Sequence, residues 1–221
     1  MRKVKLQVQM TIDGFVGGPN GESDWVWASG PDEAGFRKVI ELADSCDTIL
    51  LGRKMTGEFI AHWEDVVDNQ PESREQPLAQ LMVNHRKIVF SRTQTAIKGR
   101  NLEVGNGDLA TAVQALKSQP GKDIMVYGGA GFACSVISLN LVDEYYFFVC
   151  PAAIGQGLSI FKERKLLKLE SSIAYNHGKV LNKYLPVQAC RCRRHSREKQ
   201  RVGNRLIKPF KPLYLYCERN C

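Results

Sequence analysis

Asp123-Ile-Met-Val-Tyr-Gly-Gly-Ala-Gly131 reads as a short apolar strand that runs straight into glycines. Phe132-Ala-Cys-Ser-Val-Ile-Ser-Leu-Asn140 follows with helical spacing, and Glu144-Tyr-Tyr-Phe-Phe-Val-Cys150 supplies a second strand that ends in Pro151-Ala-Ala-Ile-Gly-Gln-Gly157. Glycines after a buried strand let the backbone turn tightly and approach a ligand. The helix that follows aims its free N–H groups and the positive end of its dipole at the same spot. Such a junction suits a phosphate or pyrophosphate, although a plain turn is the commoner meaning of a lone glycine run.

Upstream, Cys46-Asp-Thr-Ile-Leu-Leu51 is a buried strand followed by Gly52-Arg-Lys-Met-Thr56, a second strand–glycine–helix junction in which Arg53 and Lys54 flank the free amides. A helical or turn segment is expected from Gly57 to His62, then a polar loop from Glu64 to Glu75 and a short helix from Leu78 to Val83. Lys87-Ile-Val-Phe90 ends in Ser91-Arg92-Thr93, where hydroxyls and a guanidinium form a fork for a monophosphate; a strand cap with a surface arginine is the plain alternative. Val4 to Met10 alternates as a first strand with one semi-polar face, and Thr11-Ile-Asp-Gly14 carries the turn pair Asp13-Gly14. Gly17 to Gly21 is either a cover for a ligand or a solvated loop. Trp25 and Trp27 either stack on a planar ring or plug the core. Pro31-Asp32-Glu33 opens a helix through about residue 44, with Phe36, Val39, Ile40 and Ala43 as its buried stripe.

Asp108 to Lys117 is a capped helix, and Lys168–Tyr175 with Gly178–Tyr184 forms a hairpin through Asn176-His177. Strands and helices alternate and then close with antiparallel strands. The fold class is α/β: a three-layer sandwich on a central, mostly parallel mixed sheet flanked by helices.

Of the 221 residues, positions 187–221 hold ten Lys or Arg and two Asp or Glu, whereas positions 1–186 hold 21 of each, so the net charge of +8 belongs to the tail. The body therefore carries no basic signature of nucleic-acid binding, and no specific nucleic-acid partner is expected. The chain divides into a domain at 1–186 and a basic, cysteine-containing tail at 187–221, expected to be disordered or loosely packed. Cys190, Cys192, His195 and Cys217 have poor spacing for a zinc knuckle, and no metal is expected. With no apolar run long enough for a membrane span and no signal peptide, the expected location is cytoplasmic.

Thr11-Ile-Asp-Gly14, Asp47-Thr-Ile-Leu-Leu-Gly-Arg53, Ile88-Val-Phe-Ser-Arg-Thr93, Val126-Tyr-Gly-Gly129, Leu141-Val-Asp-Glu144 and Pro151 to Gly157 with Phe161 occur in an order that resembles the dihydrofolate reductase superfamily. More narrowly, they resemble the C-terminal reductase domain of bacterial riboflavin biosynthesis, over about residues 2–185. The resemblance implies a reductase that takes a hydride from NADPH. It implies that Gly52, Arg53, Lys54 and Thr56 hold the pyrophosphate region, that Ser91 and Arg92 hold the 2′-phosphate, and that Gly128, Gly129, Ala130 and Gly131 wrap the cofactor. Those reductases usually present Glu-Gly-Gly where this chain has Tyr127-Gly-Gly. Asp32 resembles the acidic residue that dihydrofolate reductases carry at the start of the helix after the first loop.

The expected substrate is a small pteridine-like or pyrimidine-like heterocycle of the 5-amino-6-(5-phosphoribosylamino)uracil type. Thr11, Trp25, Phe59, Tyr127 and Pro151 are its candidate contacts, and Asp32, then Asp13, the candidate proton donors. Structural carboxylates, one at a helix start and one in a turn, are the plain readings of Asp32 and Asp13. The alternative function is a NADP(H)-binding or phosphoribosyl-ligand-binding protein without turnover; polyanion attraction by the tail is a third reading. A homodimer is expected, with the aromatic density of Tyr145-Tyr-Phe-Phe148 exceeding what one sheet face can bury.

Overall fold

The computed structural model describes residues 1–187. The expectations for the tail lie outside the described residues. In chain order the elements are β1 (Val4–Thr11), α1 (Glu33–Asp44), β2 (Cys46–Gly52), α2 (Arg53–Asn69), α3 (Gln76–Asn84), β3 (Arg86–Phe90), β4 (Leu102–Gly105), α4 (Leu109–Ser118), β5 (Asp123–Gly128), α5 (Ala130–Ser138), β6 (Glu144–Cys150), β7 (Leu167–Ala174) and β8 (Val180–Pro186). The strands form one sheet in the order β4-β3-β2-β5-β1-β6-β8-β7. All pairings from β4 to β6 are parallel; only β6–β8 and β8–β7 are antiparallel. The mostly parallel sheet with a mixed edge is therefore as read from the sequence.

The period-two alternation of each central strand feeds two cores. Val4, Leu6, Leu50, Val126, Tyr145 and Phe147 pack beneath α4 and α5. Ile49, Leu51, Met125, Tyr146 and Phe148 pack beneath α1, α2 and α3. This division corrects the expectation for β6: Tyr145, Tyr146, Phe147 and Phe148 are 0, 7, 6 and 1% exposed, so the chain itself buries both faces of the strand. Burying each such ring stabilises the fold by about 1.5–3 kcal/mol, and none is left over for a partner subunit.

Two further expectations shift. Helix α2 runs on to Asn69, through half of the stretch read as a polar loop. Phe59, Ile60 and Val66 keep an apolar stripe on its inner face, while Asp65 accepts from the Asn69 side chain at 2.7 Å and Asp68 pairs with Arg100 at 2.5 Å on the outer face. A charge-rich helix face was mistaken for loop composition. Helix α3 is likewise longer, with Pro77 in its first turn. The β7–β8 hairpin forms where expected; His177 (φ 67°) and Gly178 (φ 84°) supply its left-handed turn. No helix among the described residues is long and apolar enough to cross a membrane.

Candidate functional site

The helices that follow parallel strands start in two different ways. Asp32 caps α1 by accepting the Gly35 N–H at 2.9 Å, and Asp108 caps α4 by accepting the Thr111 N–H at 2.8 Å. Helices α2 and α5 begin at Gly52 and Gly129 with no side-chain cap. Their first-turn N–H groups therefore await an acceptor. Strands β2 and β5 are neighbours, with Leu51 beside Gly128, so the two uncapped starts lie side by side. They are also keyed together. A Cβ on Gly52 would sit 2.6 Å from Cβ of Phe132 in α5, and one on Gly128 would meet the flexible end of Met55 in α2. Gly129 turns the chain at φ 80°, and nothing lies within 4 Å of where a Gly131 side chain would begin. The backbone is thus bare where the helix dipoles point.

Arg53 and Lys54 are exposed in the first turn of α2, which carries no acidic residue. Cations at a helix N-terminus oppose the dipole by about 0.3–1 kcal/mol each, a local cost that an incoming anion would reverse. At the end of β3, next to β2, Ser91 Oγ accepts the Thr93 and Gln94 N–H groups at 3.2 and 2.9 Å. Asn106 Nδ2 donates to the Ser91 and Gln94 carbonyls at 2.8 and 2.7 Å. This turn carries the exposed Arg92. Within the described residues no carboxylate lies within 4 Å of Arg53, Lys54 or Arg92. Thr56 is buried and donates to the Gly52 carbonyl at 3.1 Å, so its hydroxyl shapes the junction from inside.

The second half of the site lies at the carboxyl ends of β1 and β6. Asp13 Oδ2 accepts the N–H groups of Ile154 and Gly155 at 3.0 and 2.8 Å, and Oδ1 accepts the Thr11 hydroxyl at 2.5 Å. The Thr11 hydroxyl, then these amides, hold the Asp13 carboxyl below its ordinary range. Thr11 and Asp13 thereby clip two loops, which are also laced by Val16 N–H to Leu158 O (2.9 Å) and Leu158 N–H to Gly17 O (2.8 Å). Pro151 is exposed beside the Gly178 turn.

Asp32 differs from Asp13. Its Oδ1 caps α1, but Oδ2 is buried without a partner, as are Trp25 Nε1 and Ser29 Oγ. Leaving such a group unsatisfied costs about 1–3 kcal/mol. Three such atoms fall within eight residues of the loop that leads into α1. Trp25 packs with Cys150. Burial pushes the Cys150 thiol up, Lys179 opposes that shift and Asp32 adds to it. Burial, then Asp32, also raises the Tyr175 phenol. Tyr175 and Lys179 are joined directly, the Tyr175 N–H donating to the Lys179 carbonyl at 2.8 Å.

Phe59 and Tyr127 meet edge to face at 5.7 Å, and Phe59 meets Trp63 at 6.2 Å. Phe59 is buried in this aromatic cluster, whereas Tyr127 is half-buried, its phenol pushed up by burial. Sequence reasoning missed Asn106, Lys179 and Gln9. Gln9 is half-buried on β1 and lies 3.7 Å from the Cys150 sulfur, and Gln7 Oε1, two residues earlier, is a further buried orphan. Polar residues at alternate positions of a central strand were the available signal.

A depression of about 540 Å³ lies at the opposite end of the sheet, among Met1, Arg2 and residues 117–123. Its charged groups are already matched, Arg2 to Asp47 and Lys117 to Asp143, and no helix N-terminus opens there. The carboxyl ends of the strands, where the uncapped helices start, are the candidate functional end.

Residues 2–181 match the RibD C-terminal domain. YyaP of Bacillus subtilis (strain 168), an uncharacterized protein, is 37% identical over 185 residues, covering 81% of this chain and 92% of that protein. Acinetobacter baumannii RibD superposes with a TM-score of 0.62 at 16% identity, covering 85% of this chain and 58% of its own. The Thermotoga maritima diaminohydroxyphosphoribosylaminopyrimidine deaminase/5-amino-6-(5-phosphoribosylamino)uracil reductase superposes with a TM-score of 0.60 at 19% identity, over 84% and 57%. At these identities the two superpositions speak for the fold, and this chain spans a little over half of either protein. Sequence and architecture together show that the chain belongs to the RibD C-terminal domain family.

Proposed function

We propose that this protein is an NADPH-dependent reductase of a small pyrimidine-like or pteridine-like heterocycle, acting as a homodimer in the cytoplasm. The observation that carries the reading is the pair of uncapped, adjacent helix starts at Gly52 and Gly129, with Arg53, Lys54 and Arg92 close by and without a carboxylate partner among the described residues. A dinucleotide with two bridging phosphates and a further 2′-phosphate matches that set of donors and charges. Gly128 to Gly131 and the amides of Arg53 and Lys54 would hold the pyrophosphate, and Arg92 the 2′-phosphate. Bound there, the nicotinamide supplies the hydride. The T. maritima relative is named for a uracil-derivative reductase, which supports the substrate class.

The chain's own residues provide orientation and a path for the proton. Asp32 Oδ2 accepts from a ring N–H and Trp25 Nε1 donates to a ring acceptor, which satisfies both orphans and fixes the heterocycle's face. With Asp32 anchoring the ring, solvent water supplies the proton and Asp32 relays it; Asp13, committed to two amides and a hydroxyl, keeps the Thr11 and Ile154 loops in register. Tyr127 and Phe59 wall the cleft on the α2 side. For assembly, the exposed edge strand β7, with Leu169 and Ile173 uncovered, takes the place first given to the β6 aromatics.

Isothermal titration with NADPH and NADH, followed by NADPH oxidation with a panel of pterins and ribosylaminouracils, tests the reading. Tight NADPH binding with oxidation of one panel member is expected. Binding without oxidation would favour a ligand-binding protein, and no binding by folded protein would overturn the reductase reading. Light scattering of wild type and Leu169→Lys tests the dimer.

A further inference from the structure

Gln7 is 6% exposed and sits in the middle of β1, a central strand whose neighbours are β5 and β6. Parallel strands covered by helices on both faces are ordinarily apolar throughout. Gln7 Oε1 is buried and has no hydrogen-bond partner among the described residues. The alternation of β1 puts Gln7 on the face of Lys5 and Gln9, toward α1 and α2, and Leu6 on the face toward α4 and α5. The other polar side chains of that face are engaged. Lys5 bonds Ser45 at 2.7 Å and pairs with Asp123 at 2.9 Å, and Gln9 Oε1 lies 3.7 Å from the Cys150 sulfur. The ladder changes at the same residue. Strand β1 pairs with β5 from Val4–Ile124 to Leu6–Val126 and no further, although β5 runs on to Gly128 and β1 stays paired with β6 as far as Thr11–Cys150. The sheet therefore opens between β1 and β5 at Gln7, which is level with Tyr127 and one residue short of the Gly128 junction.

We propose that Gln7 is a specificity-determining residue of the cofactor site: its Oε1 accepts an N–H of the nicotinamide carboxamide, so that this chain reads the carboxamide with a side chain. The proposal rests on the reductase reading for the identity of the dinucleotide. Sheet order places the group there. The turn that carries Arg92 ends β3, and the two uncapped helix starts follow β2 and β5. These strands lie in the order β3-β2-β5-β1. A dinucleotide laid across them, with its 2′-phosphate at β3 and its pyrophosphate at β2 and β5, carries its far end to the next strand, which is β1. The opening beside Gln7 is at that strand. It lies on the side of the sheet where α1 is capped by Asp32 and α2 buries Phe59, so the ring meets the cleft of the heterocycle. The chemistry matches in sign as well. A glutamine oxygen only accepts, and the carboxamide is the substituent of a nicotinamide ring that carries N–H donors. A buried acceptor left unsatisfied is costly, and a second amide relieves that cost.

The test is isothermal titration without substrate, comparing NADP⁺ with its 3-acetylpyridine analogue. In the analogue a methyl ketone replaces the carboxamide, which removes the N–H donors and keeps the carbonyl. Wild type should bind NADP⁺ about tenfold more tightly than the analogue. Gln7→Met, of similar length, should bring the two affinities together by weakening NADP⁺ alone. Gln7→Leu serves if the methionine variant does not fold. A purely structural glutamine would instead lower the melting temperature and weaken both dinucleotides alike, leaving their ratio as it was. Equal wild-type affinity for the two dinucleotides, or a ratio unchanged by loss of the Gln7 amide, overturns the proposal. A ratio that Gln7→Met abolishes, with no NADPH oxidation against any heterocycle of the panel, keeps the subsite and removes the reductase reading. NADPH oxidation with a ratio that Gln7 does not control removes only the subsite. Folded protein that binds neither dinucleotide overturns both.

Discussion

At the amino ends of the strands Arg2 pairs with Asp47, Lys5 with Asp123, Lys3 with Glu144 and Lys117 with Asp143, whereas at the carboxyl ends Arg53, Lys54, Arg92 and Lys179 face no carboxylate among the described residues. Asp143 also accepts the Val4 N–H at 2.8 Å and Asp123 the Lys3 N–H at 2.8 Å. Side-chain satisfaction follows the division less strictly: Trp25 Nε1, Ser29 Oγ and Asp32 Oδ2 are buried orphans before α1, but Tyr145 Oη at the start of β6 is one too. The fold pairs its charges at the amino ends of the strands and leaves these cations without a carboxylate at the candidate site.

The comparison breaks most easily at Asp32. Asp32→Asn keeps an oxygen to cap α1 but removes the proton relay, so turnover should fall by about 10²–10⁴-fold while NADPH affinity and melting temperature hold. Steady-state kinetics beside cofactor titration decide it; full activity in the variant would return Asp32 to a helix cap alone. Arg92→Ala is next. NADPH should weaken by about ten- to a hundredfold and NADH should hardly change, because one charge-assisted contact to phosphate is lost. Equal losses for both cofactors would move Arg92 to a general structural role.

The opposite end should answer in stability. Asp47→Ala leaves the buried Arg2 guanidinium with only neutral acceptors, the Thr48 hydroxyl and the Lys122 carbonyl. Asp47 is itself partly exposed, which limits the loss to about 1–3 kcal/mol, with cofactor affinity unchanged. Urea unfolding checks the first part and titration the second; a change in NADPH affinity would show that the two ends are coupled. The smallest effect is at Asp13. Its folded carboxyl lies below the ordinary value, so its contribution is present above about pH 4 and is lost as pH falls through the folded value. Amide protection at Ile154 and Gly155, taken relative to the intrinsic exchange rate at each pH, should fall at acid pH in wild type and be low at all pH values in Asp13→Ala.

Most of the fold was legible because the central strands are short apolar runs with sharp ends. Cys46–Leu51 and Asp123–Tyr127 run into glycine and Lys87–Phe90 into Ser91, and none leaves a competing period. Helix α2 was read too short because Glu64, Asp65 and Asp68 lie on its solvent face, where composition resembles a loop. The two uncapped junctions were legible for a local reason, since a strand end, its glycine and the helix start are consecutive in the chain. Long-range contacts were not: Lys179 meets Trp27 and Gln9 meets Cys150, and no spacing rule connects positions so far apart. The β6 aromatics misled in the reverse sense: a count of rings cannot tell that helices will cover both faces of the strand.

The interlock of Gly52 with Phe132 and of Gly128 with Met55 has a kinetic and calorimetric consequence. Two junctions held apart at a set distance by their own side chains need no ordering when a dinucleotide arrives. Association should therefore follow a single phase whose observed rate rises linearly with NADPH concentration, without the plateau of a preceding isomerisation. The heat of binding should carry a heat-capacity change set by the ligand's own buried surface, with no added increment from chain folding. Enlarging the key, as in Gly52→Ala, would force α2 and α5 apart and should introduce the slow phase that the native pair lacks.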